Sequence, residues 1–244
     1  MILTRHRLRE RLRRLGEWVW LRYRMFRQPV VEIAGVRLPV GQHLSRKATR
    51  ALYQGSYEKD EQRIIAARLS PDDIVIEMGA GLGFISSLCA KRIGSERVFA
   101  YEANPELRRH ILRTYALNDV RPTIEICVLG SSGGTRTFYV EKNFFSSSTV
   151  RRSARARAIQ VPVKSCNEEI GRIRPSFLIV DIEGGEYELL RNIDFQTVRK
   201  IAIELHERVI GPAGVAFVRS RLADAGFHVL PDLSTEEHLY LQRE

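Results

Sequence analysis

Ile74-Val75-Ile76-Glu77-Met78-Gly79-Ala80-Gly81-Leu82-Gly83-Phe84 is the stretch whose reading decides the fold. A short apolar run, enough for a buried strand, ends in three alternating glycines, and an apolar segment of helical length (84–93) begins at once. Glycines let the backbone turn sharply and approach a ligand that a Cβ would repel. Strand, glycine turn and helix in immediate succession mark the first βα unit of a nucleotide-binding α/β sheet.

The spacing then narrows the ligand. A dinucleotide site wants G-x-G-x-x-G, with pyrophosphate on the helix N-terminus. Here the position of the third glycine is held by Phe84, and the pattern is G-x-G-x-G with Glu77 two residues before it. An acid is also expected at the end of the next strand. Glu102 closes Val98-Phe99-Ala100-Tyr101, 19 residues beyond Gly83, where a carboxylate can accept both hydroxyl hydrogens of a ribose.

Outward from this unit, strands and helices alternate. Strands are expected at 74–78, 97–102, 124–128, 177–182 and 200–205, and helices at 58–69, 84–93, 105–117, 185–193 and 213–225. Asn104-Pro105-Glu106 is a strong helix start: a capping side chain, a pre-set φ and an acid near the positive end of the dipole. The alternation implies a doubly wound, Rossmann-like α/β fold with a mostly parallel sheet. Residues 226–230 and 238–241 add a C-terminal antiparallel hairpin, and 30–45 reads as a small hairpin before the sheet begins. The stretch 131–172 interrupts the alternation with two extra strands, 135–140 and 158–163, joined by a polar loop at 142–149. Loops at the carboxyl ends of α/β strands shape substrate sites, so this insertion is assigned to acceptor recognition, with the serines at 146–148 hydrogen-bonding a polar acceptor.

The chain resembles the FkbM family of methyltransferases from roughly Gly55 to His206. The resemblance rests on Gly55-Ser56-Tyr57-Glu58, on the glycine turn, on Tyr101-Glu102-Ala103-Asn104-Pro105, and above all on Asp181-Ile182-Glu183-Gly184-Gly185-Glu186 with Ile203-Glu204-Leu205-His206 on the next strand. It departs at Val180, where such sequences often carry lysine, and at Glu77-Met78, where Asp-Val is commoner. The resemblance implies an S-adenosylmethionine-dependent O-methyltransferase acting on hydroxyls of sugars, glycans or secondary metabolites. It implies a cofactor site of Tyr57, Glu77, Gly79, Ala80, Gly81, Gly83, Phe84, Glu102 and Ala103, with Glu77 helping to orient the ammonium of the methionine moiety.

The segment after Phe177-Leu178-Ile179-Val180 is informative by itself, because a buried strand delivers Asp181 and Glu183 into the crevice where α/β sheets bind ligands. Glu204, His206 and Glu207 arrive from the next strand end. Acids gathered there raise one another's pKa, and one becomes a competent base for a hydroxyl proton. Asp181 is the first candidate, His206 the second, and Glu183 completes the catalytic set. The same carboxylates could instead hold a divalent metal that acidifies the hydroxyl, or form a purely structural network.

Residues 1–28 form a separate feature, ahead of the catalytic domain at 29–244. Nine arginines precede residue 28 against only Glu10 and Glu17, so most of the chain's net charge of +10 sits in this leader. Leu8, Leu12, Leu15, Val19, Tyr23 and Phe26 recur at helical spacing, which makes the leader a basic amphipathic helix. Contact with a membrane surface or a partner, packing on the domain, and a nucleic-acid arm all fit such a helix. No basic stripe continues into the body, which disfavours nucleic acid. There is no run of about 20 apolar residues to span a bilayer and no secretory h-region, and three scattered cysteines read as buried apolar residues in a reducing compartment, so a cytoplasmic enzyme at the inner membrane surface is expected. Two other functions share these residues: methylation of RNA or protein, and a non-catalytic cofactor-binding module.

Overall fold

A computed structural model describes residues 16–141 and 147–244. Leu8, Leu12 and Leu15 of the leader, and residues 142–146 of the polar loop, lie outside that range. The chain divides into two compact units, one ending at Lys59 and the other Asp60–Glu244.

In the first unit, helix α1 (16–27) stops before Pro29, whose ring cannot continue it. Leu21 and Met25 of α1 are buried, and Arg24 lies over the rings of Trp20 and Tyr53 at 5.0 and 4.6 Å. The expected hairpin is present as β1 (Val30–Ile33) and β2 (Val36–Pro39), paired antiparallel around Ala34-Gly35, both at positive φ. Helix α2 (Arg46–Gln54) had no clear sequence signal. Ser45 caps its start by accepting from the Ala48 N–H, and Gly55 ends it in the left-handed region.

The second unit opens with α3 (Lys59–Arg68), β3 (Val75–Met78), α4 (Phe84–Ile93), β4 (Val98–Glu102), α5 (Arg108–Asn118), β5 (Thr123–Ile126) and β6 (Val128–Gly130). It continues with β7 (Gly134–Val140), β8 (Arg157–Ser165), α6 (Cys166–Ile173), β9 (Phe177–Val180), α7 (Glu186–Asn192), β10 (Lys200–Glu204), α8 (Glu207–Asp224), β11 (His228–Val229) and β12 (His238–Gln242). The central sheet runs β11-β12-β10-β9-β3-β4-β5, parallel except where β12 pairs with β10 and β11. This is the doubly wound α/β architecture the alternation implied. β3 and β9 are buried along their whole length, as a strand covered by helices on both faces must be. The order reverses between them, for β4 and β5 follow β3 to one side while β10 follows β9 to the other, and such a switch point leaves a crevice beyond the strand ends.

Three local readings change. The strand expected at 124–128 breaks at Cys127: β5 stays in the central sheet, while β6 joins a second sheet of order β6-β8-β7. The end of the interrupting stretch forms α6, which sends Cys166, Ile170 and Ile173 into the main core. The helix expected at 213–225 gains a preceding helical turn from Glu207, set off from it by the non-helical Gly211 (φ 71°) ahead of Pro212. All three cysteines are free and buried.

Candidate active site

The glycine turn is fastened to its neighbours on both sides. The N–H groups of Gly79 and Ala80 both donate to the Tyr101 carbonyl, at 2.8 and 3.1 Å, and the Asp181 N–H donates to the Met78 carbonyl at 2.9 Å. Gly79 (φ 95°) is pressed so closely on the Asp181 backbone that a Cβ there would overlap its carbonyl oxygen. Gly83 (φ 71°) faces Ile111 and Tyr115 of α5, with no room for a Cβ. Two of the three glycines are therefore required by the packing of the fold itself, and Gly81 (φ 54°) by its backbone angle.

Glu102 closes the turn from β4. One carboxylate oxygen accepts from the Gly81 N–H at 2.9 Å and the other from the Asn104 N–H at 2.7 Å. The two oxygens together can accept further donors. Burial lifts the Glu102 carboxyl to about 7, against the opposing pull of the Asn104, Gly81 and Ala103 amides. Ala103 is half-buried against the second sheet's core of Phe138, Val140 and Val161. Asn104 caps the next helical turn by accepting from the Glu106 N–H, as its sequence position indicated.

Glu77 is 2% exposed at the end of β3. Ser86 supports it through both hydroxyl and backbone N–H, and Tyr115 donates to the Ser86 hydroxyl at 2.9 Å. Burial still dominates, pushing the Glu77 carboxyl up to about 8. Its Oε2 is buried with no hydrogen-bond partner among the described residues. A buried carboxylate oxygen without a partner is costly and calls for a donor. Ala80 is buried in the turn, Phe84 opens α4 with its ring fully buried, and Tyr57 is buried in the first unit.

The opposite wall is acidic. Asp181 ends β9, and the turn after it is tight: Glu183 (φ 53°) and Gly184 (φ 100°) both take the left-handed region, with Gly184 packed on Val209. Glu186, wholly buried, accepts from the Gly184 N–H at 2.9 Å, and the same oxygen lies 2.7 Å from His206 Nδ1. The other ring nitrogen, Nε2, faces Glu183 (3.4 Å), Glu204 (3.6 Å) and Asp181 (3.7 Å). The site thus brings together all three sequence candidates, Asp181, Glu183 and His206. Burial pulls the His206 pKa down, but Glu186, Glu183 and Glu204 more than offset it and leave it raised. Burial raises the Glu183 carboxyl against the pull of His206 and Arg152. Arg152, from the loop after β7, donates to the Glu183 carboxylate and backbone carbonyl, both at 2.8 Å.

The network extends further than the sequence suggested. Glu204 turns its second oxygen to His238 Nε2 at 3.4 Å, and Glu61 of α3 meets the same nitrogen at 3.3 Å. Despite burial, these two acids push His238 up to about 11. Ligand atoms of Asp181, Glu204 and His206, and likewise of Glu61, Glu204 and His238, are close enough together to hold a metal ion. Glu186, His238, Glu61 and Arg152 had no role assigned from sequence. The first stood inside the quoted motif, while the others needed strand pairing and loop placement to be known. Ser147 and Ser148 are buried, and their hydroxyl oxygens accept from the Glu141 and Val150 N–H groups.

Residues 77–229 match the family described as Methyltransferase FkbM domain. The chain is 25% identical over 205 residues to methyltransferase sdnD of Sordaria araneosa, covering 68% of this chain and 78% of that protein. Among solved structures it is similar to precorrin-6y C5,15-methyltransferase of Geobacter metallireducens, with a TM-score of 0.46, 14% identity, and coverage of 76% of this chain and 87% of that one. It is also similar to the tRNA (uracil-54, C5)-methyltransferase of Pyrococcus abyssi in complex with S-adenosyl-L-homocysteine, with a TM-score of 0.48, 13% identity, and coverage of 88% of this chain and 43% of that one.

Proposed function

This chain belongs to the FkbM methyltransferase family, and from that premise we propose that it methylates a hydroxyl of a sugar, glycan or secondary metabolite, with S-adenosylmethionine as donor. The observation that carries the reading is the pairing, across one switch point, of a turn with a vacant acid at Glu77 and a cluster of bases at Asp181. When bound, S-adenosylmethionine supplies an electrophilic methyl carbon on a sulfonium. Glu102 would hold the ribose hydroxyls, and Glu77 the ammonium. On the other wall Asp181 takes the hydroxyl proton as the oxygen is methylated, His206 steadies that carboxylate through Nε2, and Glu183 flanks the same imidazole. Arg152, from the loop after β7, fixes Glu183 on the acceptor side, and in this reading the acceptor is lipid-linked and met at a membrane surface.

A second reading is favoured by one observation. Glu186 accepts from Nδ1 and so leaves His206 Nε2 to face three carboxylates, the arrangement of a metal-ligating histidine with its supporting acid. A divalent cation held by Asp181, Glu204 and His206 would polarise the acceptor hydroxyl.

The test is an assay with 13C-methyl S-adenosylmethionine against a panel of hydroxylated glycans and metabolites, with RNA and protein as controls. The expected product carries its label on oxygen, and label found on nitrogen or carbon would overturn the reading. Repeating the assay with chelator and then with added Mg2+ or Mn2+ separates a proton-accepting acid from a metal site.

The raised acids give this reading a pH signature. With Glu77 near 8 and Glu102 near 7 in the free protein, both are partly protonated at neutral pH, yet each must be ionised to hold the donor. S-adenosylhomocysteine should therefore release about one proton on binding at pH 7.5, and its affinity should climb between about pH 6 and 9, then level off. Calorimetry in two buffers of different ionisation enthalpy measures this directly. Binding without proton release, and flat from about pH 6 to 9, would remove these two acids from the donor site.

A further inference from the structure

Helix α1 has two apolar sides. Leu21 and Met25 are 1% and 9% exposed, so one side is already used in building its own unit. Val19, Tyr23 and Phe26, at the i, i+4, i+7 positions that share a helix face, are 61%, 63% and 85% exposed, with Trp20 beside them at 52%. The stripe expected from sequence thus continues into the described helix as its outward face. In the sequence, Leu8, Leu12 and Leu15 extend the same spacing toward the N-terminus. Such a face in water costs free energy and marks a contact surface.

Its surroundings select the occupant. Arg22 and Arg27 are exposed on either flank of the Val19-Tyr23-Phe26 line, whereas Arg24 is turned back onto Trp20 and Tyr53. At the end of the stripe, Arg22, Met25, Phe26, Val40, Gly41 and Gln42 line a small cleft of about 280 Å³. A protein partner would meet an apolar patch crowded by cations, and a nucleic-acid duplex held through its phosphates would leave Val19 and the aromatic rings in water. A lipid surface satisfies both, with rings in the headgroup–acyl boundary and guanidiniums on phosphates. No described helix is long and apolar enough to cross a membrane, so the contact lies in the interface plane.

We propose that α1 docks this enzyme on anionic lipid through Val19, Trp20, Tyr23 and Phe26, with Arg22 and Arg27 binding headgroup phosphates. This identifies the face behind the membrane-surface part of the functional reading. It is tested without donor or acceptor, so a failure of methyl transfer leaves it standing.

The experiment is co-sedimentation of the full chain with vesicles of phosphatidylcholine alone, or of equal parts phosphatidylcholine and phosphatidylglycerol. Binding should favour the anionic vesicles and weaken with added salt. Tyr23→Ser with Phe26→Ser should weaken it about tenfold or more. Arg22→Gln with Arg27→Gln should do so comparably on anionic vesicles only. Because these side chains point to solvent, thermal melts should match the parent, which excludes misfolding as the cause. Three outcomes overturn the proposal. The first is that both double variants bind vesicles as the parent does. The second is a dimer, read by light scattering, that Tyr23→Ser with Phe26→Ser dissolves while vesicles bind neither form. The third is retention of RNA with vesicles ignored.

Discussion

Gly79→Ala is expected to give a protein that melts roughly 10 °C lower and binds S-adenosylhomocysteine at least about 100-fold more weakly. The expectation follows from the Asp181 carbonyl, not from the ligand. The backbone at Gly79 has a φ of 95°, where an L side chain is strained by about 1–3 kcal/mol. The new methyl would also overlap the Asp181 oxygen, and backbone on both sides resists moving because the Gly79, Ala80 and Asp181 amides are all committed. Relief requires β3 and β9 to part at their carboxyl ends, which adds an overpacking cost of about 1–3 kcal/mol and pulls the turn away from Glu102. At about 2–4 °C per kcal/mol for a chain of this size, the melting shift follows. Differential scanning calorimetry and titration calorimetry on the same preparation check both halves. An alanine variant with parental melting and affinity would mean that the close approach of these two strand ends is not what sets the turn.

The second large effect concerns the other side of that contact. Asp181→Asn should lower kcat by about 100- to 10,000-fold, the usual worth of a positioned proton acceptor, while affinity for S-adenosylhomocysteine stays within about twofold. The split is expected because the bond from Asp181 to β3 uses its backbone N–H, which asparagine keeps, whereas the carboxylate faces His206 Nε2. An amide of equal size preserves the shape and removes only the capacity to take a proton. An active Asp181→Asn enzyme would transfer the role to Glu183, whose raised carboxyl stands next in line. Loss of affinity together with kcat would instead make Asp181 part of the donor wall.

The fold was legible because the sheet's central strands are written as apolar runs, Ile74-Val75-Ile76 and Phe177–Val180, each followed at once by chemistry-bearing residues. The start of α4 at Phe84 and the cap at Asn104 could be read residue by residue, since caps and glycine turns act locally. Asp181, Glu183 and His206 could be foreseen as neighbours because consecutive parallel strands put their carboxyl ends on one edge. What stayed hidden depends on pairing across distance. His238 meets Glu204 only because β12 runs antiparallel to β10 in the register that sets Glu204 opposite His238. The break at Cys127 likewise depends on β8 being available to capture β6, and nothing within residues 124–128 announces it. Glycine was legible as a turn and misleading as to cause, for at Gly79 the close neighbour is a strand of the protein itself.

The late position of β12 in the chain bears on when the enzyme comes of age. β12 lies between β10 and β11 although both are translated before it, and it alone brings His238 to Glu204. A nascent polypeptide that has already emerged through β11 owns the glycine turn, Asp181 and His206, yet leaves the flank of β10 open and Glu204 without its second imidazole. Until β12 is in place, that flank of β10 is an unpaired strand edge. The insertion of one strand therefore closes that edge and completes the acidic network in a single event.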